Sequence, residues 1–214
     1  MSHPIWPFFG LTVTTPRLVL RYVDDTLATE LGLLAARGIH DPATMPFAIP
    51  WTDAPAEELP IGALRHFWHV RSENTPERVR LSFAVIARGE VVGFSALDAD
   101  DFACVREFST ASWLGIAHQG RGLGGELRAA TLHLGFEGLG AVRAESGAFA
   151  DNERSNRVSR RLGYRENGRH WLQRRGEPAE QILYVLDRET WEASRRDDIT
   201  IDGIEPVRTF IGLS

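Results

Sequence analysis

One stretch of this 214-residue chain, residues 112–126 with the sequence SWLGIAHQGRGLGGE, constrains the fold more than any other. An apolar run at residues 113–117 predicts a strand, and a helical pattern begins at Leu127. Glycines crowd the space between them, at Gly120, Gly122, Gly124 and Gly125. Glycine lets the backbone approach a ligand closely, and the free amides at a helix start attract anions. The stretch therefore predicts a phosphate or pyrophosphate site, to which Arg121 can add a full charge.

Several kinds of loop fit such a pattern. A Walker loop ends in Gly-Lys-Ser/Thr, which the stretch lacks. The dinucleotide fingerprint G-x-G-x-x-G is matched by Gly120, Gly122 and Gly125, and Glu145 follows at about the distance that this motif asks for. A glycine-rich turn without any ligand is the plainest alternative. The loop alone does not decide between them.

A second motif lies downstream. The acyl-coenzyme A loop Q/R-x-x-G-x-G/A is matched by Gln119, Gly122 and Gly124, and after a further predicted strand the chain continues as DNERSNRVSRRLGY. In that segment a family pattern is present at these positions: Asn152, Ser155, Gly163 and Tyr164. With both motifs, the chain resembles the GCN5-related N-acetyltransferase (GNAT) superfamily, within it the branch similar to ribosomal-protein N-terminal acetyltransferases. The resemblance spans about residues 18–186 and is strongest over 113–164.

The resemblance implies an α/β fold with a mixed, mostly antiparallel sheet. We expect about seven strands, splayed at the cofactor and flanked by about four to five helices. The chain should be a single domain over residues 1–214, with extensions at 1–10 and 197–214. The second extension is too apolar for a disordered tail, and an added strand or the arm of a homodimer would both account for it.

The residues before the glycine loop also bear on the choice. Residues 80–88 and 91–98 predict a β-hairpin around Gly89-Glu90, and the alternation continues toward Leu114, as in an antiparallel meander. A dinucleotide-binding fold would instead place its glycine loop in a βαβ unit before a long parallel sheet. The meander therefore favours an acyltransferase.

Composition sets the remaining bounds. A hydrophobic fraction of 43% and a charged fraction of 25% are ordinary for a soluble globular protein. The net charge of −5 does not favour a nucleic-acid partner. No apolar run approaches the ~18 residues of a membrane span, and the single Cys104 suits a reducing compartment. We therefore expect a cytoplasmic protein without membrane or nucleic-acid partners, and no metal.

The resemblance implies acetyl transfer from acetyl-coenzyme A to a primary amine by direct attack on the thioester. The acceptor is left open between a peptide N-terminus and a small molecule. The glycine loop should bind the pyrophosphate, and the preceding strand should bind the pantetheine arm. The expected cofactor-binding residues are Trp113, Leu114, Gly115, Ile116, Gln119, Gly120, Arg121, Gly122, Leu123, Gly124, Gly125, Asn152, Ser155 and Asn156.

Two proton transfers remain to be assigned. Related enzymes carry a glutamate at the position of Ser109, so Glu107, two residues earlier on the same strand face, is the first candidate for the base. Glu145 on the neighbouring strand is the second. Many members of the superfamily place a tyrosine that acts as the general acid at the position of Ser159. In this chain Ser155 is the proposed proton donor instead. These two departures keep a non-catalytic acyl-coenzyme A module open as an alternative, beside the less favoured NAD(P)-binding protein.

Overall fold

A computed structural model of the protein describes residues 3–213. Nine strands form one sheet in the order β7-β8-β6-β5-β4-β3-β2-β1-β9. The strands are β1 (Thr12–Thr14), β2 (Val19–Tyr22), β3 (Arg78–Ala87), β4 (Glu90–Asp100), β5 (Glu107–Leu114), β6 (Arg143–Phe149), β7 (Arg165–Arg174), β8 (Glu177–Asp187) and β9 (Thr200–Asp202). The helices are α1 (Asp25–Ala36), α2 (Leu59–Ser72), α3 (Phe102–Val105), α4 (Leu123–His133), α5 (Glu153–Arg161), α6 (Arg188–Glu192) and α7 (Ile204–Phe210).

The mixed, mostly antiparallel sheet is confirmed, and both counts exceed the prediction. Pro16 lies between β1 and β2, which form an antiparallel pair. The additional elements are short: β9 has three residues, and α3 and α6 have four and five. Segments of that length span only about one to one and a half periods of their pattern, too few for periodicity to detect them.

The predicted strand at residues 113–117 is wrong in its second half. The Gly115 amide donates the last bond of this ladder to the Val92 carbonyl (3.0 Å), and the Ile116 amide then turns to the Gly38 carbonyl (3.1 Å). Residues Ile116–His118 form a 3₁₀ turn. The chain leaves the sheet after Gly115, because the Ile116 amide bonds to the loop that follows α1.

Both faces of the sheet are covered, by different elements. On one face α4 and its π-helical continuation pack Phe136 against Phe108 of β5 and Trp191 of α6, with ring centroids 5.4 and 5.0 Å apart. On the other face α1 and α2 cover β2 to β4, with Phe67 of α2 against Phe94 of β4. We call these the α4 face and the α2 face. Since side chains alternate along a strand, each strand residue belongs to one of them.

The two edges of the sheet differ in origin. At one edge the C-terminal segment is ordered, as its apolar content predicts: β9 pairs with β1, and Phe210 of α7 packs on Phe8 with ring centroids 5.0 Å apart. The opposite edge is β7, a solvent-exposed strand rich in charged side chains, with a bulge between Glu166 and Arg169.

Candidate functional site

The sheet opens between β5 and β6. Of the ladders among residues 3–213, this is the parallel one, and it consists of three pairs running from Glu107–Arg143 to Ser109–Glu145. Beyond that point β5 continues along β4 as far as Leu114, while β6 continues along β8 as far as Phe149. The two strands therefore part after Ser109 and Glu145 and leave a wedge-shaped gap, which we call the splay.

One wall of the splay is a strand edge with free backbone groups. Because the Gly115 amide bonds to Val92 of β4, alternation turns the backbone groups of Trp113 and Ala111 toward β4 as well. The backbone groups of the intervening residues Thr110, Ser112 and Leu114 then face away from β4, toward β6 and the splay. The Leu114 carbonyl accepts from the Gln119 side chain (2.8 Å), and the free groups include the Leu114 amide and both backbone groups of Ser112. Of the predicted strand positions, Leu114 lies on this free edge. The backbone of Trp113 and Gly115 faces β4, and the Ile116 amide is used by Gly38.

The glycine loop follows at the open end of that edge. Gly120 and Gly122 have φ values of +75° and +77°, a left-handed conformation that other residues adopt only at a cost. Gly122 caps α4 without a side-chain bond, so the amides of Leu123, Gly124 and Gly125 form an uncapped helix start. The predicted loop residues thus lie together in the arrangement that suits an anion.

A buried carboxylate lies close behind these amides. Glu126, 5% exposed, accepts from the Thr15 hydroxyl (2.6 Å) and from the Arg17 amide and Nε (3.1 and 2.6 Å). Burial acts to raise its pKa, but the bonds from Thr15 and Arg17 outweigh that effect and hold the pKa below its usual value. Arg17 also donates to the Arg121 carbonyl (3.1 Å), so its charge offsets Glu126 beside the loop. Neither Arg17 nor Glu126 is among the predicted site residues.

The side chain of Gln119 is engaged within the protein. Its amide donates to the Leu114 and Ile39 carbonyls, both at 2.8 Å, and its carbonyl accepts from Arg154 of α5 (2.7 Å). Gln119 therefore holds the end of β5, the loop after α1 and the start of α5 in one arrangement around the glycine loop.

The second motif lies across the splay, at the start of α5. Asn152 caps the helix by accepting from the Ser155 amide (3.2 Å), and the Ser155 side chain is partly buried. Within residues 3–213 the Ser155 hydroxyl has no hydrogen-bond partner, which leaves it free for a ligand. Asn156 is 2% exposed and committed to the fold, since it donates to Phe149 (3.0 Å) and accepts from Tyr184 (3.1 Å).

The α2 face of the splay carries a row of polar residues on adjacent strands. Cross-strand pairing connects Arg80 of β3 to Asp98 of β4, Asp98 to Ser109 of β5, and Ser109 to Glu145 of β6. A pocket of about 410 Å³ opens over this row and is also lined by Glu107 and Asp100. Two predicted residues, Glu107 and Glu145, are therefore brought together, and the structure adds Asp98 to them.

Asp98 is the polar residue that the sequence prediction missed. Burial raises its pKa to about 6, with Arg80 acting to lower it and Asp100 and Glu73 acting to raise it. Counting back from the Gly89-Glu90 turn would pair Arg80 with Leu97, but a bulge between Val85 and Ile86 shifts the register by one residue. A shift of one residue moves a side chain to the opposite face of the sheet. Only a prediction of the bulge could therefore have placed Asp98 in this row.

Glu107 is placed differently. Its carboxylate accepts from Arg143 (3.1 Å), which also donates to Asp187 (3.2 Å), and both groups lie beside the closed ladder rather than beside the splay. Ser109 and Ala111, the next residues on the same face, are exposed. Their small side chains leave open space above β5 between Glu107 and Trp113.

The proline-rich segment 38–58 covers the other end of this space. Trp51 packs on Trp113 with ring centroids 6.2 Å apart, and Asp53 pairs with Arg175 in the turn between β7 and β8 (2.8 Å to Nε). Arg174 donates to the Met45 carbonyl (3.3 Å). The segment therefore bridges β5 and the β7–β8 hairpin.

Among residues 3–213, no group of three or more His, Cys, Asp and Glu side chains is arranged to hold a metal ion. No helix there has the length and apolar character that crossing a membrane requires. The strand pairing also disfavours an NAD(P)-binding protein. β5 pairs with β4 and β6 pairs with β8 in antiparallel ladders, whereas a dinucleotide-binding fold has a parallel sheet.

Comparison with known proteins agrees with this geometry. The model of the acetyltransferase (GNAT) domain family matches residues 17–165. The structure of a GNAT-family acetyltransferase from Bacillus anthracis is similar, with a TM-score of 0.64 and 16% identity, over 83% of this chain and 99% of that one.

Two similar structures contain ligands. One is RimL, a ribosomal L7/L12 alpha-N-protein acetyltransferase in complex with coenzyme A, with a TM-score of 0.63 and 18% identity over 82% of this chain and 97% of that one. The other is the microcin C7 self-immunity acetyltransferase MccE in complex with acetyl-CoA and AMP, with a TM-score of 0.63 and 19% identity over 80% and 93%. At these identities the likeness shows a shared fold.

Proposed function

Because this chain belongs to the GNAT acetyltransferase family, we propose that it transfers an acetyl group from acetyl-coenzyme A to a primary amine. The observation that supports this most strongly is the splay, where a free strand edge at Thr110, Ser112 and Leu114 leads to an uncapped helix start. Pantetheine contains two amides and can pair with such an edge as an added strand would. The amides of residues 121–125 would hold the pyrophosphate.

The same edge supplies an electrophilic group. The amide that donates to the thioester oxygen must lie beside the thioester end of the pantetheine arm. The Ser112 amide points into the splay toward that end and can donate to the oxygen as negative charge develops on it. The Ser155 hydroxyl, across the splay, is the proposed donor toward the sulfur.

Asp98 is our choice for the base. An α-amine has a reference pKa near 8 and a lysine near 10, so the acceptor arrives charged and must lose a proton before attack. A carboxylate with a pKa of about 6 is ionised at neutral pH and is better matched to that transfer than an ordinary aspartate. Glu145, one strand further along the row, is the second choice. Glu107 is third, because Arg143 already neutralises it.

The pocket chemistry favours a cationic acceptor. Asp98, Glu107 and Glu145 line about 410 Å³ of space, and Arg80, the cation among them, donates to Asp100 (2.7 Å). An ammonium group would be attracted there before it is deprotonated. A protein N-terminus, by analogy with RimL, and a small amine both satisfy this chemistry.

A non-catalytic acyl-coenzyme A module is the second candidate. It is favoured by two serines, Ser109 and Ser159, at positions where related enzymes carry a glutamate and a tyrosine. Such a module would bind the cosubstrate without releasing its thiol to any amine.

The loop can be tested with one substitution. A side chain at Gly125 meets no atom within 4 Å and needs no positive φ, so Gly125→Asp should fold while placing a carboxylate among the anion-binding amides. Acetyl-coenzyme A at a hundredfold excess over its Kd should stabilise the wild type by about 2.7 kcal/mol, or roughly 5–10 °C in Tm. It should leave the Gly125→Asp Tm unchanged.

Gly62→Asp is the matched control, since Gly62 is also a helical glycine with open space around it. That variant should keep the full acetyl-coenzyme A response. Stabilisation by NADH and not by acetyl-coenzyme A would refute the proposed function. Stabilisation by acetyl-coenzyme A without thiol release across a panel of peptides and small amines would support the non-catalytic module.

A further inference from the structure

Arg128 of α4 is a buried cation without a carboxylate partner. It is 5% exposed, and its guanidinium donates to two serine hydroxyls, those of Ser146 on β6 and Ser159 on α5 (3.3 Å to the latter). Its carbon centre lies 5.7 Å from the Tyr164 ring. In the described part of the chain, residues 3–213, no acidic side chain forms an ion pair with it. Neutral partners offset little of the free energy that burying a charge costs.

Arg128 is part of a cluster with several unsatisfied polar atoms. Its own Nε, the Thr110 hydroxyl and the Tyr164 hydroxyl are buried without a hydrogen-bond partner among residues 3–213. The Tyr164 hydroxyl is itself close to Thr110 and Arg128, which both act to lower its pKa. The cluster therefore lacks an anion rather than polar neighbours.

The cluster lies at the closed end of the splay. Thr110 and Ser146 are the first residues beyond the last parallel pair, Ser109–Glu145. Both belong to the α4 face, because their neighbours Ser109 and Glu145 face the acidic pocket. Arg128 therefore lies behind the point where the two strands part, on the side opposite Asp98.

A thioester bound as proposed above would end at this point. The free edge from Leu114 back to Thr110 is about 13 Å long at the usual rise per residue. A pantetheine arm that starts from the glycine loop follows this edge until the Ser109–Glu145 pair closes the gap. Its sulfur then lies among Thr110, Ser146 and the Arg128 guanidinium.

We propose that Arg128 stabilises the thiolate that leaves when acetyl transfer occurs. The amine nitrogen forms a bond to the carbonyl carbon, the carbon–sulfur bond breaks, and its electron pair remains on sulfur beside the guanidinium. The proton lost by the amine passes to the carboxylates on the α2 face. The thiolate accepts a hydrogen bond from the Ser155 hydroxyl and takes its proton from solvent on release. In this chain a buried positive charge stabilises the thiolate that, in related enzymes, a tyrosine at the position of Ser159 would protonate. This inference rests on the proposed function.

The proposal predicts a pH-dependent affinity for free coenzyme A. A thiol has a reference pKa near 8.5, and a site that prefers the thiolate lowers that pKa on binding. The affinity should then rise with pH between the bound and the free pKa, by up to tenfold per pH unit. Acetyl-coenzyme A has no ionisable sulfur and should show no such rise.

The groups that face Arg128 would not mimic this effect. They are the hydroxyls of Thr110, Ser146 and Ser159 and the phenols of Tyr164 and Tyr184. Burial raises the pKa of both phenols, so they stay neutral between pH 7 and pH 9. The acidic side chains Asp98 and Glu145 face the other side of the sheet.

The experiment is a pair of calorimetric titrations of the full-length protein, with coenzyme A and with acetyl-coenzyme A, at pH 7.0 and pH 9.0. In the wild type the affinity for coenzyme A should rise at least tenfold relative to that for acetyl-coenzyme A. Arg128→Met, which keeps an unbranched apolar chain, should abolish the relative rise and change acetyl-coenzyme A affinity less than about threefold. Arg128→Lys, which keeps a charge, should retain part of the rise.

The outcomes separate the two proposals. Equal pH dependence of the two ligands in the wild type overturns the role of Arg128 and leaves the acetyl-coenzyme A site intact. Binding of neither ligand overturns the proposed function and this inference with it. If Arg128→Met does not fold, the wild-type comparison still decides, together with the protons released on coenzyme A binding in two buffers.

Discussion

The two faces of the splay carry opposite charges in opposite settings. On the α2 face, Asp98, Glu107 and Glu145 line a pocket that is open to solvent. On the α4 face, a single cation, Arg128, is enclosed among hydroxyls and an aromatic ring. The strands between them, β5 and β6, keep the two sets apart, since adjacent residues of a strand point to opposite sides.

Under the proposed function, this difference would separate two steps of one reaction. Deprotonating a cationic amine needs carboxylates that solvent and acceptor can reach. Stabilising a leaving thiolate needs a positive charge in a dry place, where its field is screened least. In the proposed reaction the amine would be deprotonated at the acidic α2 face first, and the thiolate would leave last, beside the cation of the α4 face.

The largest expected effect is on turnover at the acidic face. Asp98→Asn should lower kcat/KM for an amine acceptor by about 10²–10³-fold at pH 7, because general-base catalysis contributes on that order. Thiol release measured from pH 5 to pH 9 should also lose its rise near pH 6. Asp100→Asn, an exposed carboxylate of the same pocket, is the control and should stay near wild type. A full-rate Asp98→Asn variant would transfer the role to Glu145.

The second effect concerns stability on the same face. Burial raises the pKa of Asp98 to about 6, so the folded protein favours the neutral carboxyl group. The stabilisation that this preference gives is complete below the pKa of the unfolded chain, near 4, and is lost as the pH rises through 6. This group should remove up to about 3 kcal/mol from the free energy of unfolding between pH 4 and pH 8. Urea titrations of the wild type should show that decline, and Asp98→Asn should not share it.

The third effect is the counterpart on the basic face. Replacing a buried, unpaired charge by an apolar side chain is often neutral or stabilising. The free energy of unfolding of Arg128→Met should therefore equal that of the wild type or exceed it by up to about 2 kcal/mol. The loss of bonds to Ser146 and Ser159 limits the gain. Thermal melts without ligand would measure it. A loss of several kcal/mol would mean that Arg128 mainly supports the fold.

The smallest effect is expected at Glu107. Since Arg143 neutralises its carboxylate at 3.1 Å beside the closed ladder, Glu107→Gln should change kcat/KM less than about threefold. The same thiol-release assay would show it. A hundredfold loss would restore Glu107 as the base and weaken the assignment to Asp98.

The sequence predicts the cofactor side of this site better than the acceptor side. Glycines at positive φ and an uncapped helix start are local features, so Gly120, Gly122 and the start of α4 could be located from residue types alone. The second motif was expected to bind the cofactor, and in the structure its Asn152 caps α5.

The catalytic groups depend on non-local pairing instead. Asp98 meets Ser109 only through the register of β4 on β5, and it faces the pocket only because a bulge near Val85 shifts the preceding hairpin by one residue. Arg128 has the spacing of an ordinary helix residue, and its burial follows from how α4 and α5 pack over the sheet. Neither arrangement leaves a periodic signal in the sequence.

The two edge strands of the sheet, β7 and β9, affect how this protein can associate with other chains. β9 offers three residues, and β7 offers a bulged strand that carries three arginines and one glutamate. Short, bulged and charged borders discourage strand-by-strand growth between molecules. A second copy would therefore be accommodated against helices or loops, and concentrated solutions should resist fibril-like association although nine strands lie side by side.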